Sequence, residues 1–300
     1  MVKRILKVFG ALVLIVLGYA FWMSPRLGGL IDHGKESIDP TILRLAFDTV
    51  GQDGYALNYP DVSDEAHLVA LREAYALDTL VKDSATDLET LLAVQNWVQG
   101  RWAHDGENAA GTSDALEILR AAEQGQRFRC VEYSVVTSAC LAALGFRVRG
   151  LGLMTRDIAE VRSGGGHAVN EVYLPDQRKW VFLDPQYNVM VLRGGVPLNA
   201  VELQRAIAEQ EPIELVNPSG TIGLADYVRW IGPYLYYFYV TIDRQSITLW
   251  DRVVGNKKQL TLHPIGADRP ATFQRMIRWN NTYYTHSVRD FYPELVDQDR

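Results

Sequence analysis

Three side chains in this sequence have the types and the order for nucleophilic acyl chemistry: Cys130, His167 and Asp184. Cys130 opens an apolar run, Val131 to Leu144, that ends at Gly145. His167 follows Gly164-Gly165-Gly166 and leads into Ala168-Val169-Asn170-Glu171-Val172-Tyr173. Asp184 closes Trp180-Val181-Phe182-Leu183 and precedes Pro185. A thiolate attacks carbonyl carbon, an imidazole takes the thiol proton, and a carboxylate holds the imidazole in one tautomer and supports its charged form. Singly, each residue has a plainer reading: a core cysteine, a strand-end histidine, an Asp-Pro turn. Their order, and the elements that carry them, favour a site.

Those elements follow from local pattern. The run after Cys130 has no Pro and no Gly before Gly145, and its apolar residues recur at helical spacing, so it reads as a buried helix stopped by that glycine. Cys130 then lies in the first turn, where free backbone amides and the helix dipole favour a thiolate. Arg147 to Met154 reads as the next strand. Ala168 to Leu174 and Trp180 to Leu183, joined by the turn Pro175-Asp176-Gln177-Arg178-Lys179, read as an antiparallel hairpin. Such a hairpin brings His167 and Asp184, seventeen residues apart, to one open end. Arg127 and Arg129 beside Cys130 are either a pKa-lowering charge or ordinary surface charge.

Several blocks carry a family resemblance: Asp114-Ala115-Leu116-Glu117-Ile118-Leu119-Arg120, Arg129-Cys130-Val131-Glu132-Tyr133, Leu141 to Arg149, Gly166 to Tyr173, and Trp180 to Pro185. Together, over residues 85 to 190, they resemble the transglutaminase-like superfamily, which includes protein-crosslinking enzymes, cysteine proteases and peptide-N-glycanases. The resemblance implies a papain-like fold with Cys130 as nucleophile, His167 as general base and Asp184 as orienting carboxylate. It implies thiol-dependent acyl transfer on peptide or protein amides, with no metal and no organic cofactor. Gly100-Arg101-Trp102 resembles the family segment whose indole helps hold the oxyanion, so Trp102 is a candidate donor beside the Cys130 amide; core packing accounts for Trp102 equally well. One departure stands out. The family usually has glycine two residues before the cysteine, where this chain has Phe128. The rival reading is a non-catalytic, membrane-tethered binding module of the same fold. A metal hydrolase lacks ligand pairs: His104, Asp105 and Glu107 form one loop cluster with no second cluster at ligand spacing.

The fold class expected is α+β, with helices packed on an antiparallel sheet. Expected helices are Pro40 to Val50, Asp61 to Leu80, Asp87 to Trp102, Ala115 to Gln124 and Asn199 to Glu209. Tyr234 to Ile242 and Gln259 to His263 read as strands, the tyrosines being either half-buried sheet residues or a substrate wall. Arg275 to Tyr284 is ambiguous, and Thr285 to Arg300 reads as a tail with an aromatic anchor at Phe291-Tyr292-Pro293. The organisation expected is an anchor or uncleaved signal (1–24), linker and N-terminal helices (25–84), catalytic core (85–190) and a C-terminal extension packed on that core (191–300).

Lys3, Arg4 and Lys7 precede an apolar run from Val8 to Met23. With Ile5 and Leu6 it nearly reaches the ~20 residues that span a bilayer. It lacks a small-x-small cleavage site and ends in Phe21 and Trp22, which suit an interfacial belt, so it reads as a transmembrane anchor. The leading positive charges place the N-terminus in the cytoplasm and the catalytic part outside it, in a periplasm or its equivalent. Cys130 and Cys140, on one helix and ~15 Å apart along its axis, are too distant for a disulfide, which needs Cα atoms within ~7 Å. The net charge of −6 speaks against nucleic acid as a partner.

Overall fold

Helix caps and chain breaks set the N-terminal half of this computed structural model, which describes residues 43–51, 55, 57–242 and 247–295. The expected anchor (1–24) and the chain end (296–300) lie outside the described residues. Among the described residues no helix is long and apolar enough to cross a membrane.

Five helices precede the sheet: α1 (Ala66–Ala74), α2 (Leu77–Leu80), α3 (Asp87–Gln99), α4 (Ala115–Glu123) and α5 (Cys130–Ala143). Thr86 caps α3 by accepting from the Glu89 amide, and Asp114 caps α4 by accepting from Leu116 and Glu117. The single helix expected over 61–80 is split because Ala76 turns left-handed, at φ 47°. Helix α3 ends at Gln99, short of Trp102, with Gly100 as its cap. Helix α5 stops as expected, with Gly145 at φ 88°. The helix expected over 40–50 is absent from 43–50. Asp48 pairs instead with the C-terminal segment, its amide donating to His286 O at 2.7 Å and its carbonyl accepting from the Val288 amide at 2.8 Å. Tertiary pairing there overrides local helix preference.

The remaining elements in chain order are β1 (Val148–Met154), β2 (Gly166–Leu174), β3 (Lys179–Leu183), β4 (Met190–Arg193), β5 (Val196–Pro197), α6 (Ala200–Ala208), β6 (Glu214–Val216), α7 (Leu224–Ile231), β7 (Tyr237–Thr241), α8 (Leu249–Val254), β8 (Gln259–Leu262), β9 (Thr272–Phe273), β10 (Ile277–Arg278), β11 (Thr282–Thr285) and α9 (Val288–Phe291). The fold is mixed α+β. Its main sheet runs β11-β8-β7-β1-β2-β3. Every pair in it is antiparallel except β11 with β8, which is parallel and so corrects the expected all-antiparallel sheet. Because β7 pairs with β1, residues beyond 191 complete the sheet rather than only packing against it.

Alternation along the strands divides the core. Val148, Val172, Leu174, Val181 and Leu183 pack with the helices α1, α3, α4 and α5. Leu151, Leu153, Val169, Phe182 and Val240 pack with α6, α7 and α9. Polar contacts pin α5 onto β2: Ser134 Oγ donates to Val169 O at 2.9 Å, and Asn170 Nδ2 donates to Ser134 O at 3.0 Å and Ser138 Oγ at 2.6 Å.

Candidate active site

The site is built at one end of the β2–β3 hairpin. Asp184 follows Leu183, which pairs with Asn170, so Asp184 falls opposite Val169 and diagonal to His167 on the same face. His167 Nε2 lies 3.0 Å from Asp184 Oδ2, with the two side chains 3% and 0% exposed. The carboxylate is itself held. Asp184 and Val189 exchange backbone hydrogen bonds of 2.9 and 3.0 Å. The Tyr187 amide donates to Oδ1 at 3.3 Å and Tyr227 Oη donates to Oδ2 at 3.0 Å. Asn188 ties this loop to α3 through Asn96, at 2.8 Å, and Gln95, at 3.2 Å.

Cys130 is the first residue of α5 and is half-buried. Its approach is anchored rather than flexible. Phe128 is buried edge-on against Trp102, with ring centroids 5.7 Å apart, and His104 bridges to Phe128 in parallel register. That anchor is what stands where the family usually has glycine. Glu132 closes the same turn by accepting from the Ala110 amide at 3.1 Å and pairing with Arg129 at 3.3 Å. The Arg129 charge is thus taken up by Glu132 rather than aimed at the thiol.

The thiol interacts with the His167 side chain and the Ala168 amide. With Nε2 engaged by Asp184, Nδ1 is the ring nitrogen left for sulfur. Burial pushes the Cys130 thiol up, but the hydrogen bond and charge of His167, with the Ala168 amide, outweigh it and the net shift is downward. Burial pushes His167 down; the Asp184 charge and hydrogen bond, then Cys130, reverse this and raise it to about 10. His167 and Asp184 are thus paired at 3.0 Å, and the Cys130 thiol lies within reach of the same ring. Such an arrangement favours a thiolate beside an imidazolium held by a carboxylate.

Residues 75–185 match the family model of the transglutaminase-like superfamily. They are a transglutaminase-like domain.

Two solved structures are similar to part of this chain. A candidate cysteine protease from Cytophaga hutchinsonii is 15% identical over 57% of this chain and 55% of its own, with a TM-score of 0.33. The periplasmic domain of TgpA from Pseudomonas aeruginosa, bound to ethylmercury, is 19% identical over 44% of this chain and 48% of its own, with a TM-score of 0.32. The chain thus spans about half the length of each. Neither likeness bears on what this chain acts on. No curated protein matches it in sequence.

The transglutaminase-like domain does not line its site alone. Helix α7 and the turn after it bring Tyr227 to Asp184 and set Trp230 edge-on to His167 at 4.7 Å, with Tyr234 at 5.9 Å. Trp230 also packs on Tyr187 at 4.3 Å. From β7, Tyr239 lies across Gly152 of β1: a Cβ on that glycine would stand 2.0 Å from the ring. The tyrosine-rich strand is therefore part of the sheet, with Tyr239 packed on β1. Sequence spacing does not reveal these partners, because they lie far from Cys130 in the chain and are brought to it by tertiary packing.

Trp102 sits in the helical core against Tyr133, ring centroids 4.5 Å apart, and its carbonyl accepts from Tyr133 Oη at 2.7 Å. Its indole nitrogen is buried without a hydrogen-bond partner. His104, Asp105 and Glu107 lie on an exposed loop, where Asp105 Oδ1 accepts from the Glu107 amide at 3.1 Å. Among the described residues no group of three or more metal-ligating side chains occurs. Cys140 is buried in the core, and burial pushes its thiol up to about 12.

Proposed function

We propose that this protein performs thiol-dependent acyl transfer on peptide or protein amides, as a cysteine peptidase, an amidase or a transglutaminase-like acyltransferase. The observation that carries this reading is the convergence of the Cys130 thiol, the His167 ring and the buried Asp184 carboxylate. Cys130 is the nucleophile, His167 the general base and acid, and Asp184 the group that orients and charges the imidazole. The sulfur attacks the amide carbonyl, a carbon–sulfur bond forms, and the carbonyl electron pair moves onto oxygen. The intermediate collapses with cleavage of the carbon–nitrogen bond, and the imidazolium proton goes to the departing amine. Water or a second amine then takes the acyl group from the thioester.

In this reading the Cys130 backbone amide, in the first turn of α5, donates to the developing oxyanion. The Val8–Met23 run serves as a membrane anchor that places this chemistry outside the cytoplasm; resistance of the full chain to alkaline carbonate extraction tests that part.

The central test is iodoacetamide labelling across pH. The expected result is rapid alkylation of Cys130 well below the ordinary thiol pKa of about 8.5, abolished in His167→Ala. A thiol that titrates like a free cysteine supports the binding-module reading instead.

A further inference from the structure

The oxyanion of an acyl-transfer intermediate needs a donor that a substrate can touch, about 2.7–3.1 Å from the oxygen. Trp102 meets this poorly. Its Nε1 is closed off from solvent, and its ring is clamped between Phe128 and Tyr133.

Two residues along the chain, His104 presents the opposite situation. It is exposed, and its ring makes no hydrogen bond among the described residues. Its backbone is nonetheless fixed beside the approach to Cys130. His104 bridges to Phe128, and the Asp105 amide donates to Phe128 O at 2.9 Å. Asn108 Nδ2 donates to Arg127 O at 2.6 Å, so the loop is stapled to the run-in on both sides. The ring lies within electrostatic reach of both His167 and Asp184. An accessible, unpartnered ring on a backbone fixed beside the approach to the nucleophile has the properties of a preorganised donor.

The geometry points to His104, rather than Trp102, as the side-chain donor that stabilises the oxyanion formed on attack by Cys130. This assignment rests on the thiol-dependent acyl-transfer reading and extends it. Burial, and then the charge of His167, hold the His104 imidazole below its ordinary value. Near neutral pH it is therefore uncharged, with one N–H free to donate. It donates that hydrogen bond as charge builds on oxygen and keeps its proton, while the proton released to the leaving group comes from His167.

The experiment uses p-nitrophenyl acetate as acyl donor and iodoacetamide as a control. Attack on the ester passes through an oxyanion; alkylation by iodoacetamide does not. With the full chain, His104→Ala slows the p-nitrophenolate burst by about 10²-fold while leaving the alkylation rate of Cys130 within about twofold. His104→Gln, which restores an N–H of similar reach, recovers most of the burst, and Trp102→Phe leaves it near wild type. An unchanged burst in His104→Ala, or a loss confined to Trp102→Phe, overturns the assignment. So does a wild-type protein that is alkylated rapidly yet never acylated. Slow, ordinary alkylation of wild-type Cys130 is a different failure, that of the acyl-transfer reading itself. Because His104 is exposed, circular dichroism of the Ala variant should match wild type; if it does not, the His104→Gln burst decides.

Discussion

His167 is a buried imidazole that keeps its proton, and the balance of forces on it controls the site. Removal from water opposes the charge; Asp184 at 3.0 Å more than offsets that, and the folded value rises from 6.5 to about 10. A raised value means that its contribution to stability is complete below about pH 6.5 and is lost as pH climbs through about 10. Cys130 runs the other way: its contribution is present above its ordinary value and is lost as pH falls through its lowered folded value. The thiolate–imidazolium pair thus occupies the window between the two. Replacing Asp184 with Asn removes the larger support for the charge. The His167 titration midpoint, read by NMR on labelled histidine, should fall by at least about one unit, and acyl transfer by on the order of 10²-fold. A midpoint that stays near 10 would falsify the role given to Asp184.

At the scale of elements, the site depends on a close approach between strands. Tyr239 of β7 reaches across Gly152 of β1 because that position has no side chain. Gly152→Ala would put a methyl 2.0 Å from the ring, so Tyr239, which lies within electrostatic reach of Cys130, must leave its place. The expected cost is about 1–3 kcal/mol, seen as a lower urea midpoint, together with altered alkylation of Cys130. Wild-type stability in this variant would show that the ring does not occupy that space. Helix α5 was legible from its apolar run and from Gly145. Its seating on β2 was not, since Ser134, Ser138 and Asn170 look like ordinary polar residues until the strand lies beside them.

Across the whole molecule, one buried ion pair joins the ends of the fold. Arg149 and Glu171 face each other on β1 and β2, with Nη2 2.7 Å from Oε2 and both side chains fully buried. Glu171 also accepts from the Ala200 amide at 3.0 Å and from Tyr292 Oη at 2.8 Å, while Arg149 donates to Phe291 O at 2.9 Å. Arg149→Met leaves a buried carboxylate without its cation and should cost about 3–5 kcal/mol in chemical denaturation, whereas Arg149→Met with Glu171→Leu should recover much of it. Equal losses in the single and double variants would argue against a compensated pair. A second long-range feature predicts acid sensitivity. His263 is buried, and burial, then the charges of His286 and Arg269, push it down to about 4. Stability from this residue is present above about 6.5 and is lost as pH falls toward 4. His263→Phe should flatten the fall in melting temperature over that range; an unchanged slope would assign the fall to other groups.

The amino-acid sequence by itself determined the order and chemistry of Cys130, His167 and Asp184, the helix that starts at the thiol and the hairpin that joins the other two. Those are local facts, set by periodicity, by glycine and proline positions, and by turns a few residues long. Only the tertiary structure decided what surrounds them: Tyr227 on Asp184, Trp230 against His167, Tyr239 over Gly152, and His104 beside the approach to the nucleophile. Each of those contacts depends on a strand or loop pairing with a partner distant in the chain, and such pairing is chosen by burial and register across the whole sheet, which no single stretch of sequence records.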